Sequence, residues 1–137
     1  MVERRPAQPT PPVPGLPAVI RGGWQGFVVL LFGDLITLVV GRGSGLVLYW
    51  VAAMAYAVAG NRAAAAAGGS LYIAGRDGAM AAAFAYLLTI PLRQAAGTPV
   101  TLLNTGVALA AALIVGALAG LIVARARRSM GRADDDA

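Results

Sequence analysis

The chain has no cysteine and no histidine. Without cysteine there is no disulfide framework, no thiolate zinc site, no iron–sulfur cluster and no redox motif. Without histidine the commonest metal ligand and the commonest general base near neutral pH are missing. Lysine is absent too, so all 11 basic residues are arginine. Charge is scarce: 12% of residues carry it, about half the usual share in a soluble protein. Only six residues are acidic, and five of those lie outside the apolar runs. That is too little charge to cover the surface of a soluble domain of 137 residues, because small domains expose much of their surface. It is also the wrong composition for a disordered chain.

What is abundant is apolar: 58% of residues are hydrophobic and the mean hydropathy is +0.72. An integral membrane protein, small enough for one compact bundle, fits these numbers. The formal charge is +5. A basic chain points to nucleic acid only when the charge forms a stripe on a soluble face. Here the arginines flank apolar runs and read as membrane-edge anchors, so no nucleic-acid partner is expected.

Six of the eight prolines fall between Pro6 and Pro17. Proline lacks an N–H and fixes φ, so residues 1–22 are expected to be a disordered cytoplasmic tail. Its PxxP spacings are also what a solvated tail shows. Four apolar segments follow at 24–41, 45–60, 76–93 (its apolar part from Gly78 to Leu92) and 99–124, within one domain at 23–124. A span needs about 20 residues; the fourth segment is ample, while the second and third are short and suit a thin bilayer. None shows the alternation of a β-barrel strand. The glycine-rich link Gly41–Gly45 reads as a tight hairpin turn, since the Lys-Ser/Thr of a phosphate loop is missing. Pro99 suits the first position of the fourth helix. Arg76 and Asp77 at the start of the third can pair locally, and Asp77 also suits a helix N-terminus through the helix dipole. Residues 125–137 form a short polar tail, basic and then acidic, whose arginines suit anionic headgroups.

Arginine counting sets an orientation. With four spans, Arg4, Arg5, Arg21, Arg62, Arg76, Arg125, Arg127, Arg128 and Arg132 share one side, and Arg42 and Arg93 the other. Basic residues stay cytoplasmic, so both termini are expected inside, at a bacterial inner membrane. The predicted fold class is therefore all-α: an integral membrane four-helix transmembrane bundle.

Small residues recur every fourth position on the fourth segment, including Ala112, Gly116 and Gly120. Such a row lets helix backbones approach closely in lipid. It suits either a contact within the bundle or a homo-oligomer seam. Gly33, Thr37 and Gly41 make a similar row on the first segment. Asp34 stands out beside it. A carboxylate within a span costs roughly 2.5–3.5 kcal/mol on insertion scales, and such residues mark ion paths or internal packing contacts. Asp34 lies eight residues from Arg42, roughly 12 Å of helix. Tyr86 lies at a similar depth, with Thr89, Asn104, Thr105 and Tyr49 nearer the outer end. Asp34, Thr37, Tyr86 and Asn104 are thus the candidate intramembrane polar or ion-binding residues.

No nucleophile–base pair and no carboxylate pair at one level is present, so neither catalysis nor a cofactor or metal is expected. Four short helices with an acid inside the first resemble the small multidrug resistance transporters in architecture and length. The acid here is Asp34 rather than that family's Glu, and drug transport is not carried over. The stretch Ala55–Leu87 is similar in texture to bacterial four-span proteins. Two functions are expected: a non-catalytic structural or accessory membrane subunit, alone or in a homo-oligomer or larger complex, and a small oligomeric ion- or proton-coupled transporter using Asp34. Beyond the lipid bilayer, no partner is legible.

Overall fold

A computed structural model describes residues 15–40, 45–67, 70–97 and 99–135, with the side chains of 37–40, 45–46 and 131–135 left aside. Four helices follow one another: α1 (Leu16–Val40), α2 (Gly45–Ala64), α3 (Leu71–Ala95) and α4 (Leu102–Asp135). The fold is an all-α four-helix bundle.

The helix ends differ from those expected, and each difference has a local cause. α1 opens at Leu16 rather than at Trp24, so helix replaces the last part of the tail expected through residue 22. Pro17 falls in the first turn, where its missing N–H has no intrahelical use. α2 continues past Gly60 into the alanine run and stops at Ala64. α3 starts at Leu71 because Ser70 caps it, its hydroxyl accepting from the Ile73 N–H at 3.5 Å. That moves Arg76 and Asp77 out of the first turn, where Asp77 is expected to complement the dipole. α3 closes on Gly97, whose φ of 70° is the left-handed conformation that glycine takes without strain. α4 begins at Leu102 rather than Pro99, since Thr101 caps it: the Asn104 N–H donates to Thr101 Oγ1 at 3.3 Å. It then runs on past Ala124 to Asp135, so most of the tail expected at 125–137 is helical. Arginine, alanine and methionine are good helix formers and no proline intervenes. The Gly41 link lies outside the described residues.

Chain direction alternates. α1 packs beside α2 and α3, and α4 packs on the opposite side of the same pair; α1 and α4 share no close contact among the described residues. The contacts are made by backbone. A Cβ added at Gly22 would lie 2.6 Å from the Ala59 carbonyl oxygen, and one at Gly26 would lie 2.9 Å from that of Ala55. Gly116 abuts the Gly78 carbonyl and Ala82, and Gly120 abuts the Ala74 carbonyl. Ala112 is fully buried in the same cluster. The row on α4 thus seats against α3 inside the bundle.

The wholly buried apolar residues are small, with Phe27, Leu30, Tyr56 and Tyr86 nearly buried among them, and most of the large apolar side chains are turned outward. Ala55, Ala59, Ala63, Ala74, Ala81, Ala82, Ala85 and Ala112 are wholly buried, while Leu35, Trp50, Met54, Leu87, Ile114 and Ile122 are exposed. The largest fully buried side chains are polar, Thr89 and Asp77. Two helical stretches are long and apolar enough to cross a membrane: Leu16–Ile36, with mean hydropathy 1.4, and Leu102–Met130, with 2.7. α2 and α3 fall short because Asn61, Arg62, Arg76, Asp77 and Arg93 dilute their alanines.

Gly116→Ala is predicted to lower stability by about 1–3 kcal/mol, the usual cost of forcing atoms into a filled core. Gly106→Ala, where an added Cβ meets nothing within 4 Å, is predicted to be neutral or stabilising by up to about 1 kcal/mol. Reversible unfolding in detergent micelles measures both. Equal effects at the two glycines would contradict the backbone seam.

Candidate site: a polar cavity shared by four helices

The alanine seam serves the end of the bundle near the α2–α3 turn. Toward the other end, larger residues replace it and the helices leave a cavity of about 610 Å³. All four helices line it. α1 supplies Leu30, Gly33 and Asp34; α2 supplies Tyr49, Val51, Ala52 and Tyr56; α3 supplies Tyr86 and Arg93; α4 supplies Asn104, Val107 and Ala108. Most of the wall is apolar, and the polar groups are few and convergent, as in small-molecule sites.

Asp34 is half-buried and sits in the last third of α1. Gly33 lets α2 approach: a Cβ there would collide with Val51. Tyr86 is buried on α3, one of the core residues. Two turns further on, Arg93 folds back over its ring, with the guanidinium carbon 5.9 Å from the ring centroid. A cation in that position is attracted by the ring's negative face. Between them lies Pro91, which has no N–H, and the Thr89 hydroxyl donates to the Tyr86 carbonyl of its own helix at 2.6 Å. Arg93, Tyr86 and Asp34 all lie within electrostatic reach of the Tyr56 hydroxyl. Asn104, in the first turn of α4, is exposed at the cavity's margin.

Of the candidate polar residues, Asp34, Tyr86 and Asn104 are brought to one cavity. The Thr37 side chain and Gly41 lie outside the described residues. Among the packing candidates, Gly33, Ala112, Gly116 and Gly120 all lie on helix–helix contacts. Thr89 is used by its own helix, and Thr105 is not on the cavity wall.

Sequence reasoning misses two members, Arg93 and Tyr56. Arg93 reads from the sequence as a boundary charge, and its seven-residue spacing from Tyr86 is the one available signal that both share a helix face. Asp77 pairs with Arg76 as expected, but it does not lie in the first turn of α3. It is 1% exposed, well away from this cavity. Among the described residues, no cluster of three metal-ligating side chains occurs. Comparison with known protein families, curated proteins and solved structures finds no match to this chain.

The absence of native cysteine allows single-cysteine tests. A small charged thiosulfonate reagent is predicted to label Ala52→Cys and Ala108→Cys on the cavity wall, and to leave Ala82→Cys in the seam unlabelled. No labelling at Ala52→Cys and Ala108→Cys would mean that the cavity is closed to water, and labelling at Ala82→Cys equal to theirs would mean that the seam is open.

Proposed function

We propose that this is a four-span integral membrane protein without catalytic activity, both termini cytoplasmic, whose Asp34 cavity is the binding step of an ion- or proton-coupled path. The observation that carries the reading is the shared placement of Asp34 and Arg93 on a cavity of about 610 Å³. An acid whose only role is to fix helix packing would be enclosed by its neighbours. An ionisable residue within a span that lines a cavity is the arrangement used for proton and ion paths. Arg93 also supplies the second ionisable group that a lone acid lacks.

The distribution of side-chain size supports four spans rather than two. Exposed large apolar residues occur on α2 and α3 as well, including Trp50, Met54, Met80 and Leu87. In water that surface would drive aggregation; in lipid it is the solvated face. The buried small residues are what close helix approach in a bilayer requires.

The accessory-subunit reading is favoured by a different feature. α4 presents Ile114, Leu118 and Ile122 on its exposed side, beyond the cavity, an apolar face suited to lipid or to another membrane helix. A homo-oligomer through the Gly116 row is disfavoured, because that row is occupied within the bundle.

Reporters fused after Ala66 and after Gln94 are predicted to report opposite sides of the membrane, with Ala66 cytoplasmic; the same side for both would end the four-span reading. In proteoliposomes holding a pH-sensitive dye, the wild-type protein is predicted to dissipate an imposed pH gradient faster than Asp34→Asn, with the variant near empty vesicles. Equal rates for the two proteins, or copurification of a stoichiometric partner with no flux, would favour the accessory subunit.

A further inference from the structure

A second site lies at the opposite end of the bundle, between the start of α1 and the second turn of α3. It is a pocket of about 280 Å³ lined by Gly15, Leu16, Val19, Arg76, Asp77 and Met80. Asp77 is 1% exposed, yet only one of its oxygens is used. Oδ1 accepts from Arg76 Nε at 3.0 Å and from Arg76 Nη2 at 2.9 Å. Oδ2 is buried with no hydrogen-bond partner among the described residues. A buried carboxylate oxygen left in that state is costly, and the cost is relieved by a donor.

The surroundings restrict what the donor can be. Arg76 is half-exposed, and its remaining guanidinium N–H groups are available beside the pocket. α1 begins here with no acidic residue in its first turn, so its dipole favours an anion. This is a charge effect rather than a row of N–H groups: Pro17 has none, and the Ala18 N–H donates to the Gly15 carbonyl at 2.9 Å. Leu16, Val19 and Met80 add apolar wall. One acceptor, one cationic fork with a helix start, and an apolar flank therefore stand side by side. On the four-span reading, on which this inference rests, they lie at the level of the lipid headgroups, on the arginine-rich side.

We propose that this pocket binds the phosphoethanolamine headgroup of an aminophospholipid. The primary ammonium donates to Asp77 Oδ2, the phosphate accepts from Arg76 and faces the α1 N-terminus, and the glycerol and upper acyl chain lie along Leu16, Val19 and Met80. The site is neutral overall, one acid and one base, which matches a zwitterion. A phosphoglycerol headgroup has no donor cation for Oδ2, and a phosphoserine headgroup adds a second anion that this one-acid, one-base site does not match. A choline headgroup carries the same charge as ethanolamine, but its quaternary nitrogen has no N–H to donate.

The test titrates the full chain in detergent micelles with dioleoyl lipids and reads bound lipid by native mass spectrometry. Phosphatidylethanolamine is expected to bind about tenfold more tightly than phosphatidylcholine, the scale of one hydrogen bond to a charged group. Its N-methyl and N,N-dimethyl forms, which keep an N–H, are expected to fall between. Asp77→Asn is expected to bring phosphatidylethanolamine down to the choline level, and Arg76→Gln to weaken both. Equal affinity for the ethanolamine and choline lipids, or phosphatidylglycerol binding as tightly as phosphatidylethanolamine, would overturn the proposal. The methylation series uses wild-type protein, so it decides the matter even where Asp77→Asn fails to fold. Water-soluble phosphoethanolamine separates the sources: it is expected not to displace lipid at equal concentration, and displacement would assign the site to a free solute instead. Alkaline extraction of membranes is read alongside. Release of the protein removes the four-span reading itself, whereas retention with no ethanolamine preference overturns the lipid assignment alone.

Discussion

Backbone meeting backbone is the contact on which the rest of this structure depends. Gly116 against the Gly78 carbonyl, Gly120 against that of Ala74, and Gly22 against that of Ala59 leave no room for a side chain between the helices. Dispersion energy falls steeply with separation, so close approach of many atoms is a main source of adhesion where no water is available to be displaced. The consequence is an inverted size distribution. Alanine and glycine hold most of the interior, and most of the leucine, isoleucine, methionine and tryptophan is turned outward. Changing any one seam glycine to a larger residue separates two helices along their length, not at one point.

The cavity is where this contact gives out. α2 carries Ala55, Ala59 and Ala63 through the seam, then Tyr56, Ala52 and Tyr49 on the way to its other end. α3 passes from Ala74, Ala81 and Ala85 to Tyr86 and Arg93. Rings and guanidinium groups cannot pack at backbone distance, so the helices leave space there, and the polar groups on their walls face one another across it. Site and seam are two outcomes of one rule: side-chain size along each helix decides where the bundle is closed. This also explains why Thr89 satisfies itself on the Tyr86 carbonyl at 2.6 Å. A hydroxyl buried among alanines has nothing else to bond.

Periodicity makes the inner faces legible. The four-residue spacing of small residues alone places Gly116 and Gly120 on one stripe, and the depth of Asp34 puts it near Tyr86. Helix ends are less legible, because they are set by single caps that composition hides. Ser70 moves the start of α3 back to Leu71, Thr101 moves the start of α4 to Leu102, and a tolerated proline at 17 moves the start of α1 to Leu16. Those shifts turn Asp77 from a dipole-complementing first-turn residue into a buried one. Arg93 is misread for a related reason. Its charge assigns it to a boundary, yet a long side chain two turns from an aromatic ring can lie back along its own helix. Charge patterning reports where an α-carbon sits and says little about where a guanidinium goes.

Hydropathy alone does not mark α3 as a span. Its charges are nonetheless placed as a span would place them. Arg76 and Arg93 stand 17 residues apart, about 25 Å along a helix, close to the roughly 30 Å of a hydrocarbon core. Between them lies one acid, Asp77, paired with the adjacent Arg76, and two hydroxyl-bearing residues buried in the bundle. Each arginine is also matched to a group on its own helix: Asp77 at one end, the Tyr86 ring at the other. A window average counts both cations against the helix and gives alanine little credit. The physical cost is smaller than that average implies, because the cations stand at the two edges and the alanines face other backbones rather than lipid. On the four-span reading proposed above, a helix sheltered by three neighbours needs less hydropathy of its own to cross, and α3 touches α1, α2 and α4.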